Sequence, residues 1–392
     1  MDKKDIAAVR RYLKPGQTKL QIQDLFNVYV MKDTTDVYHA QSQPFDMIDQ
    51  EEQELYTKNF KKILTGRLDE KLFELKFQHE SPSQLLLHKA LLTESREEWQ
   101  GKMLTMAEKM IADNPQETDT VLTFIRANYY QSSGRAGSDD DSAVVANSFI
   151  LCVVNKTEQP EREIQFDYVE KEFKYKVEVD PVIDLKHPLT GFFFPAVTDG
   201  AADVNRLLYA AVKANEPDEH MIQEVLGAED VMTAQEDKAV FEEVVREVIG
   251  DQLPPATLAN VYGEINRMIE EGEEEGTPPT LDYRDVEKVL SASGQQVESE
   301  QVKAAFQNVT TEESYEMKAS SIVPKYESKS IKIKTKAADI TISPQDLQYV
   351  RQVQYDNRRC IMIDIDEDAE VDGFRMLPEA FSWKVEDPED EE

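Results

Sequence analysis

Hydrophobic and polar positions change their period along this chain, and the changes mark its elements. Ile6, Val9 and Leu13 recur at helical spacing over residues 2–13, and Pro15-Gly16 stops the pattern. Residues 25–31 read as a strand. Helical period returns over residues 50–64, where Leu55, Phe60, Ile63 and Leu64 lie near one face. Leu72, Phe73, Leu75 and Phe77 predict another strand. Two helices follow at 84–92 and 96–112, the second closed at Asn114-Pro115 because a residue before proline resists the helical region. Extended segments are then expected at 121–130, 146–154, 164–169 and 173–179, all dense in β-branched and aromatic residues. A Ser-, Gly- and Asp-rich loop occupies 131–142. The run Gly191-Phe192-Phe193-Phe194-Pro195 reads as a buried strand beside a proline turn, or as an aromatic anchor for a partner. Residues 203–214 are predicted to be helical.

The period shifts again after residue 216. Val240, Phe241, Val244, Val245, Val248 and Ile249 form one helical stripe over 234–249. Leu258, Val261, Tyr262, Ile265, Met268 and Ile269 form a second. Residues 270–280 contain no apolar side chain and read as a flexible acidic connection. Helices are expected near 282–290 and 299–309, either side of Ser293-Gly294. From 328 the alternation has a period of two: Ile331 and Ile333 between lysines, then Ile340 and Ile342. Residues 349–354 and 360–365 flank Asp356-Asn357 as a hairpin would, and 371–377 could add a last strand.

Together these elements predict an α+β fold. Residues 1–215 should form a mixed domain around an antiparallel sheet. An acidic, mainly helical segment is expected at 216–327, then a small β module with a hairpin at 328–377. Residues 378–392 read as an acidic disordered tail.

Charge sharpens this division. The chain has 392 residues and a net charge of −34. Residues 216–327 hold 27 Asp+Glu against 8 Lys+Arg, whereas residues 1–215 hold 35 against 27. Acidity is therefore local. It predicts either a solvated helix face or a docking surface for a basic protein through the 216–327 segment. It predicts no direct nucleic-acid binding, which needs excess positive charge. No apolar run approaches the ~20 residues of a membrane span, and the charged opening Asp2-Lys3-Lys4-Asp5 is no signal peptide, so a cytoplasmic protein is expected. Cys152 and Cys360 sit in apolar strand-like runs and read as small buried hydrophobes.

The segment from Lys332 to Met376 resembles the C-terminal end of an uncharacterised bacterial family, the domain of unknown function family 4317. The opening with Lys3-Lys4-Asp5-Ile6 and Arg10-Arg11 is similar to it too. So are residues 142–154, with Ser148-Phe149-Ile150-Leu151-Cys152, and 191–196, with Gly191-Phe192-Phe193-Phe194-Pro195-Ala196. The resemblance covers nearly the whole chain in order. It implies a bacterial cytosolic protein and carries no activity.

Chemical motifs are sparse. Phosphate-loop, dinucleotide and nucleophile-elbow signatures are absent, and the five histidines lack metal-ligand spacing. No cofactor, metal site or catalytic residue is assigned. Asp364, Asp366 and Asp368 alternate like the start of a calcium loop, but Ala369 stands where glycine is needed and Arg375 where the closing Glu should be. They read as a charged strand edge, with Ile361, Ile363 and Ile365 inward. Glu178, Asp184 and Lys186 form half of a nuclease-like pattern in which carboxylates hold a metal ion. Residues 282–309 could form a helix-turn-helix, but their acids outnumber their bases. Asp139, Asp140 and Asp141 read as a solvated loop. The leading expectation is a non-enzymatic interaction or regulatory protein. The alternatives are a carboxylate-based metal enzyme acting on phosphoesters, and an acidic nucleic-acid mimic.

Overall fold

The computed structural model describes residues 1–14, 19–112, 115–132, 144–159, 163–176, 180–198, 200–275, 279–310, 315–324, 326, 328–355, 357–371 and 374–376. It divides into two compact units, Met1–Asp237 and Lys238–Glu392.

The first unit begins with α1 (Lys3–Tyr12), capped by the side chains of Asp2 and Asp5 in a reciprocal box. Then come β1 (Leu20–Val30), β2 (Val37–Pro44), α2 (Gln50–Ile63) and β3 (Leu72–Lys76). Ser81 caps α3 (Pro82–Leu92), which has proline in its first turn, and Ser95 caps α4 (Arg96–Ile111). The strands β4 (Thr120–Ser132), β5 (Val144–Glu158), β6 (Glu163–Asp167), β7 (Glu172–Lys176), β8 (Val182–Ile183), β9 (Thr190–Phe194), β10 (Ala196–Thr198), β11 (Ala201–Asp203) and β12 (Arg206–Ala210) follow.

Seven of these form a sheet in the order β2-β1-β4-β5-β9-β12-β3, every pair antiparallel, and β8 adds to β5. Both faces are covered. Phe26, Phe124, Cys152, Phe192, Tyr209 and Phe73 lie at matched register across six strands and face a core shared with α3 and α4. Leu25, Ile125, Leu151, Phe193 and Leu208 make the adjacent row, facing a second core shared with α1 and α2. Alternate residues of a strand point to opposite faces, so a sheet between two helical layers needs apolar residues at every position. That requirement explains Phe192-Phe193-Phe194: all three are at most 1% exposed and supply both cores, which leaves none as an anchor for a partner. Each such burial contributes about 1.5–3 kcal/mol. Gly191 lies where an added Cβ would overlap the carbonyl of Cys152 on β5, so glycine alone permits this strand approach.

The helix expected over 203–214 is instead the strand β12. Leu207 and Tyr209 enter one core, Leu208 and Ala210 the other. A continuous apolar run has no period of its own, and here sheet pairing decided its state. Residues 216–237 belong to this unit as well. A π-helical turn at Met221–Val225 joins the α3/α4 core, and Glu229 and Ala234 donate backbone hydrogen bonds to Lys76 and Asp69 beside β3.

The second unit contains most of α5 (Ala234–Ile249), then α6 (Pro255–Glu275), β13 (Thr280–Leu281), α7 (Tyr283–Ala292), α8 (Ser299–Thr310), β14 (Met317–Lys318) and α9 (Ala319–Ile322). Three hairpins follow: β15 (Ile331–Lys334) with β16 (Asp339–Ile342), β17 (Val350–Tyr355) with β18 (Arg358–Ile363), and β19 (Glu370–Val371) with β20 (Phe374–Arg375). Phe241, Val244, Val261, Ile265, Val286, Leu290 and Phe306 from the helices share one core with Ile342, Leu347 and Val350. Residues 270–275, expected in a flexible connection, continue α6. Glutamate is a good helix former, and a helix that outruns its core needs no apolar stripe. The 131–142 loop lies almost wholly, and the 378–392 tail wholly, outside the described residues.

Candidate functional site

Polar groups are buried on both faces of the sheet. In β1 the register shifts between Ile22 and Asp24, so Ile22 and Leu25 both reach the α1/α2 core and Asp24 turns to the opposite face. There it pairs with Arg126 of β4 at 2.7 Å and Arg96 of α4 at 2.6 Å. Arg126 also donates to the Thr93 carbonyl at the end of α3, and its guanidinium lies 5.5 Å from the Trp99 ring centroid. Asp24 is 1% exposed and Arg126 8%. Burying such charges is tolerable only because each is paired and hydrogen-bonded. The cluster ties β1, β4, α3 and α4 together.

On the other face, Asn59 of α2 and Asn155 of β5, both fully buried, exchange amide hydrogen bonds at 2.8 and 3.3 Å, and Asn59 also donates to the Leu185 carbonyl. Nearby on this face, Thr123 donates to Asn27, and Asn27 donates to Tyr56. These groups orient α2 on the sheet. None was singled out from sequence. The usable signal was a polar residue interrupting an apolar strand.

Two pairs approach catalytic geometry without reaching it. The Lys109 ammonium donates to Ser83 Oγ at 2.5 Å, and Ser83 donates to the Val225 carbonyl at 2.6 Å. Burial holds the Lys109 pKa below the ordinary lysine value, partly offset by Glu224. A lysine base would have to accept the serine proton; here that proton is committed to a carbonyl, and Ser83 is fully buried. The pair is a strut between α4, α3 and the π-helical turn. The second pair is Asp184 and His187. Asp184 accepts from the amides of Lys186 and His187 and meets His187 Nδ1 at 2.9 Å. Burial opposes its charge, but the hydrogen bonds from His187 and the two amides outweigh that and hold its pKa below the usual aspartate value. Its oxygens are thus engaged within one turn. Lys186 is exposed, and Glu178 lies outside the described residues.

The other sequence candidates disperse. β18 ends at Ile363, so Asp364, Asp366 and Asp368 do not share a strand face; Asp364 pairs with Arg351, and Ile365 is exposed rather than inward. Cys152 is fully buried, which raises its pKa well above the thiol norm, whereas Cys360 is only half-buried. Val286, Leu290, Val302 and Phe306 of α7 and α8 fill the second unit's core. Asp139, Asp140 and Asp141 lie outside the described residues. Among the described residues no group of three or more His, Cys, Asp or Glu side chains could hold a metal ion. No helix there is long and apolar enough to cross a membrane. A surface depression beside α2 is lined by Asp49, Gln50, Glu51, Glu54, Leu55 and Lys58, all from one stretch of chain.

The surface of the second unit is more distinctive. Four bases on its helices pair with carboxylates of the same unit: Lys238 with Glu242, Arg246 with Glu243 and Asp251, Arg267 with Glu264 and Glu271, and Lys288 with Asp285. Glu247 and Glu270 accept hydrogen bonds from the neutral amides of Asn308 and Asn266. The last turns of α6 carry Glu270, Glu271, Glu273, Glu274 and Glu275 and no base. Carboxylates at a helix C-terminus face the negative end of its dipole, each costing roughly 0.3–1 kcal/mol at low salt.

A family model described as Domain of unknown function (DUF4317) matches residues 1–374. No curated protein matches the chain.

Proposed function

We propose that this chain, which belongs to the DUF4317 family, is a non-enzymatic interaction or regulatory protein of the bacterial cytoplasm, whose helical unit receives a basic protein partner. The supporting observation is the acidic end of α6. Five of the residues in its last turns are glutamates, and the nearby Arg267 is shared between Glu264 and one of them, Glu271. A local rule broken with only partial internal compensation marks a place where a partner can supply the missing charge. Lysine or arginine side chains from a basic surface would neutralise the glutamates and complement the dipole together.

Affinity capture from bacterial cytosol tests this, run at low and high salt with the native chain and with an E270Q/E271Q/E274Q variant. The expected result is a small set of basic proteins held by the native chain, released by salt and missing from the variant. Recovery of the same set by the variant, or of nothing at either salt, overturns the reading.

A further inference from the structure

A different surface carries a second, independent inference. β6 and β7 form a two-stranded ribbon outside the main sheet, with Ile164 opposite Tyr175 and Phe166 opposite Phe173. Alternation places these four side chains on one face. Asp167, Glu172 and Lys174 take the other, where Lys174 pairs with Asp167 at 2.9 Å. Asp167 also shapes the turn by accepting from the amides of Val169 and Glu170. The apolar face is uncovered: Ile164 is 73% exposed, Phe166 40%, Phe173 79% and Tyr175 56%, and Tyr168 and Val169 at the tip are 86% exposed. A two-stranded ribbon is marginal in water and gains stability when such a face is packed. Contiguous apolar area of this kind marks an interaction site.

We propose that the apolar face of the β6–β7 ribbon is a self-association surface, covered by the same face of a second copy of this chain. Area supports this occupant. At ~150–250 Å² per fully buried aromatic ring, the exposed parts of the four aromatics amount to on the order of 500 Å². Ile164 and Val169 add to that, approaching the ~800 Å² per partner of a standard interface. Charge supports it too. Two copies at −34 each repel over most of their surfaces, but residues 163–176 hold four acids and three lysines. The ribbon is therefore a nearly neutral, aromatic place where like-charged molecules can meet. One self-complementary face on each copy makes a closed two-fold pair rather than an open chain.

Sedimentation equilibrium of the full chain tests the proposal, using native protein, an F173K/Y175K variant and L92K as a control. Leu92 is another exposed apolar side chain, at 67%, on α3. The native chain and L92K should form dimers. The ribbon variant should associate about 30-fold more weakly or worse, with an unchanged far-ultraviolet circular dichroism spectrum showing that it remains folded. A native chain that stays monomeric at micromolar to near-millimolar concentration overturns the proposal. So does a ribbon variant that dimerises as the native chain does, or an equal loss of dimer in L92K.

Discussion

Asp24 shows how one extra residue lets a strand keep a charge beside apolar neighbours. In step with Phe26 and Val28, Asp24 takes the face of both arginines, and the bulge before it returns Ile22 to the α1/α2 core with Leu25. Its removal by D24A leaves Arg126 buried without its carboxylate, and the expected cost is about 3–5 kcal/mol in urea unfolding. A D24L/R126M double variant should recover most of that loss, because two apolar side chains need no pairing. If the double variant were as unstable as D24A, the pairing account would fail. Tyrosines offer a pH test at the same scale. Burial raises the pKa of both Tyr209 and Tyr262 to about 12. The folded state therefore favours their neutral form. Their contribution is complete below the unfolded tyrosine value of about 10 and is lost as pH rises from there towards 12. Absorbance titration should show these two ionising after exposed tyrosines, with stability falling over that window. Uniform ionisation near pH 10 in a still-folded protein would contradict it. Sequence placed Tyr262 on an apolar helical stripe and did not single out Tyr209, since helical or strand period shows that a residue faces inward but not how completely it is enclosed.

Elements with a single buried face were legible, and so were β4, β5 and β9, whose β-branched and aromatic runs mark them although both faces are buried; β12 and the end of α6 were not. α1, α2, α4, α5 and the β17–β18 hairpin follow directly from their apolar period and their capping or turn residues. β12 escaped because Leu207, Leu208, Tyr209 and Ala210 are all buried, which erases alternation. The end of α6 escaped for the opposite reason, having no apolar residue to show a period. Its acidic end makes a prediction at this scale. E274K should stabilise the second unit by about 0.3–1 kcal/mol at low salt, and high salt should shrink the gain. Chemical denaturation at two ionic strengths measures it; a destabilisation by lysine would refute the dipole argument.

At the scale of the whole molecule, each unit owns its core: two clusters line the sheet of the first, and one joins the helices and hairpins of the second. Separate cores predict separate unfolding. Scanning calorimetry of the full chain should give a calorimetric enthalpy larger than the van't Hoff value, resolving into two transitions. A single two-state transition would show that the units unfold as one. The more acidic second unit should also gain more from added salt, because its carboxylates repel one another.

The sequence by itself determined the α+β class, most helices, the family resemblance and the concentration of acid in residues 216–327. Each is a local property, carried by period, end-capping residues or charge count within one stretch. Only the tertiary structure decided the strand order, the use of Phe192, Phe193 and Phe194 by two cores, the meeting of Asp24 with Arg96 and Arg126, and the bare apolar face of β6 and β7. Those outcomes depend on which distant segments come to lie together. An alternating strand carries the same pattern whether another layer covers it or water does, and burial is settled by the neighbours that fold against it.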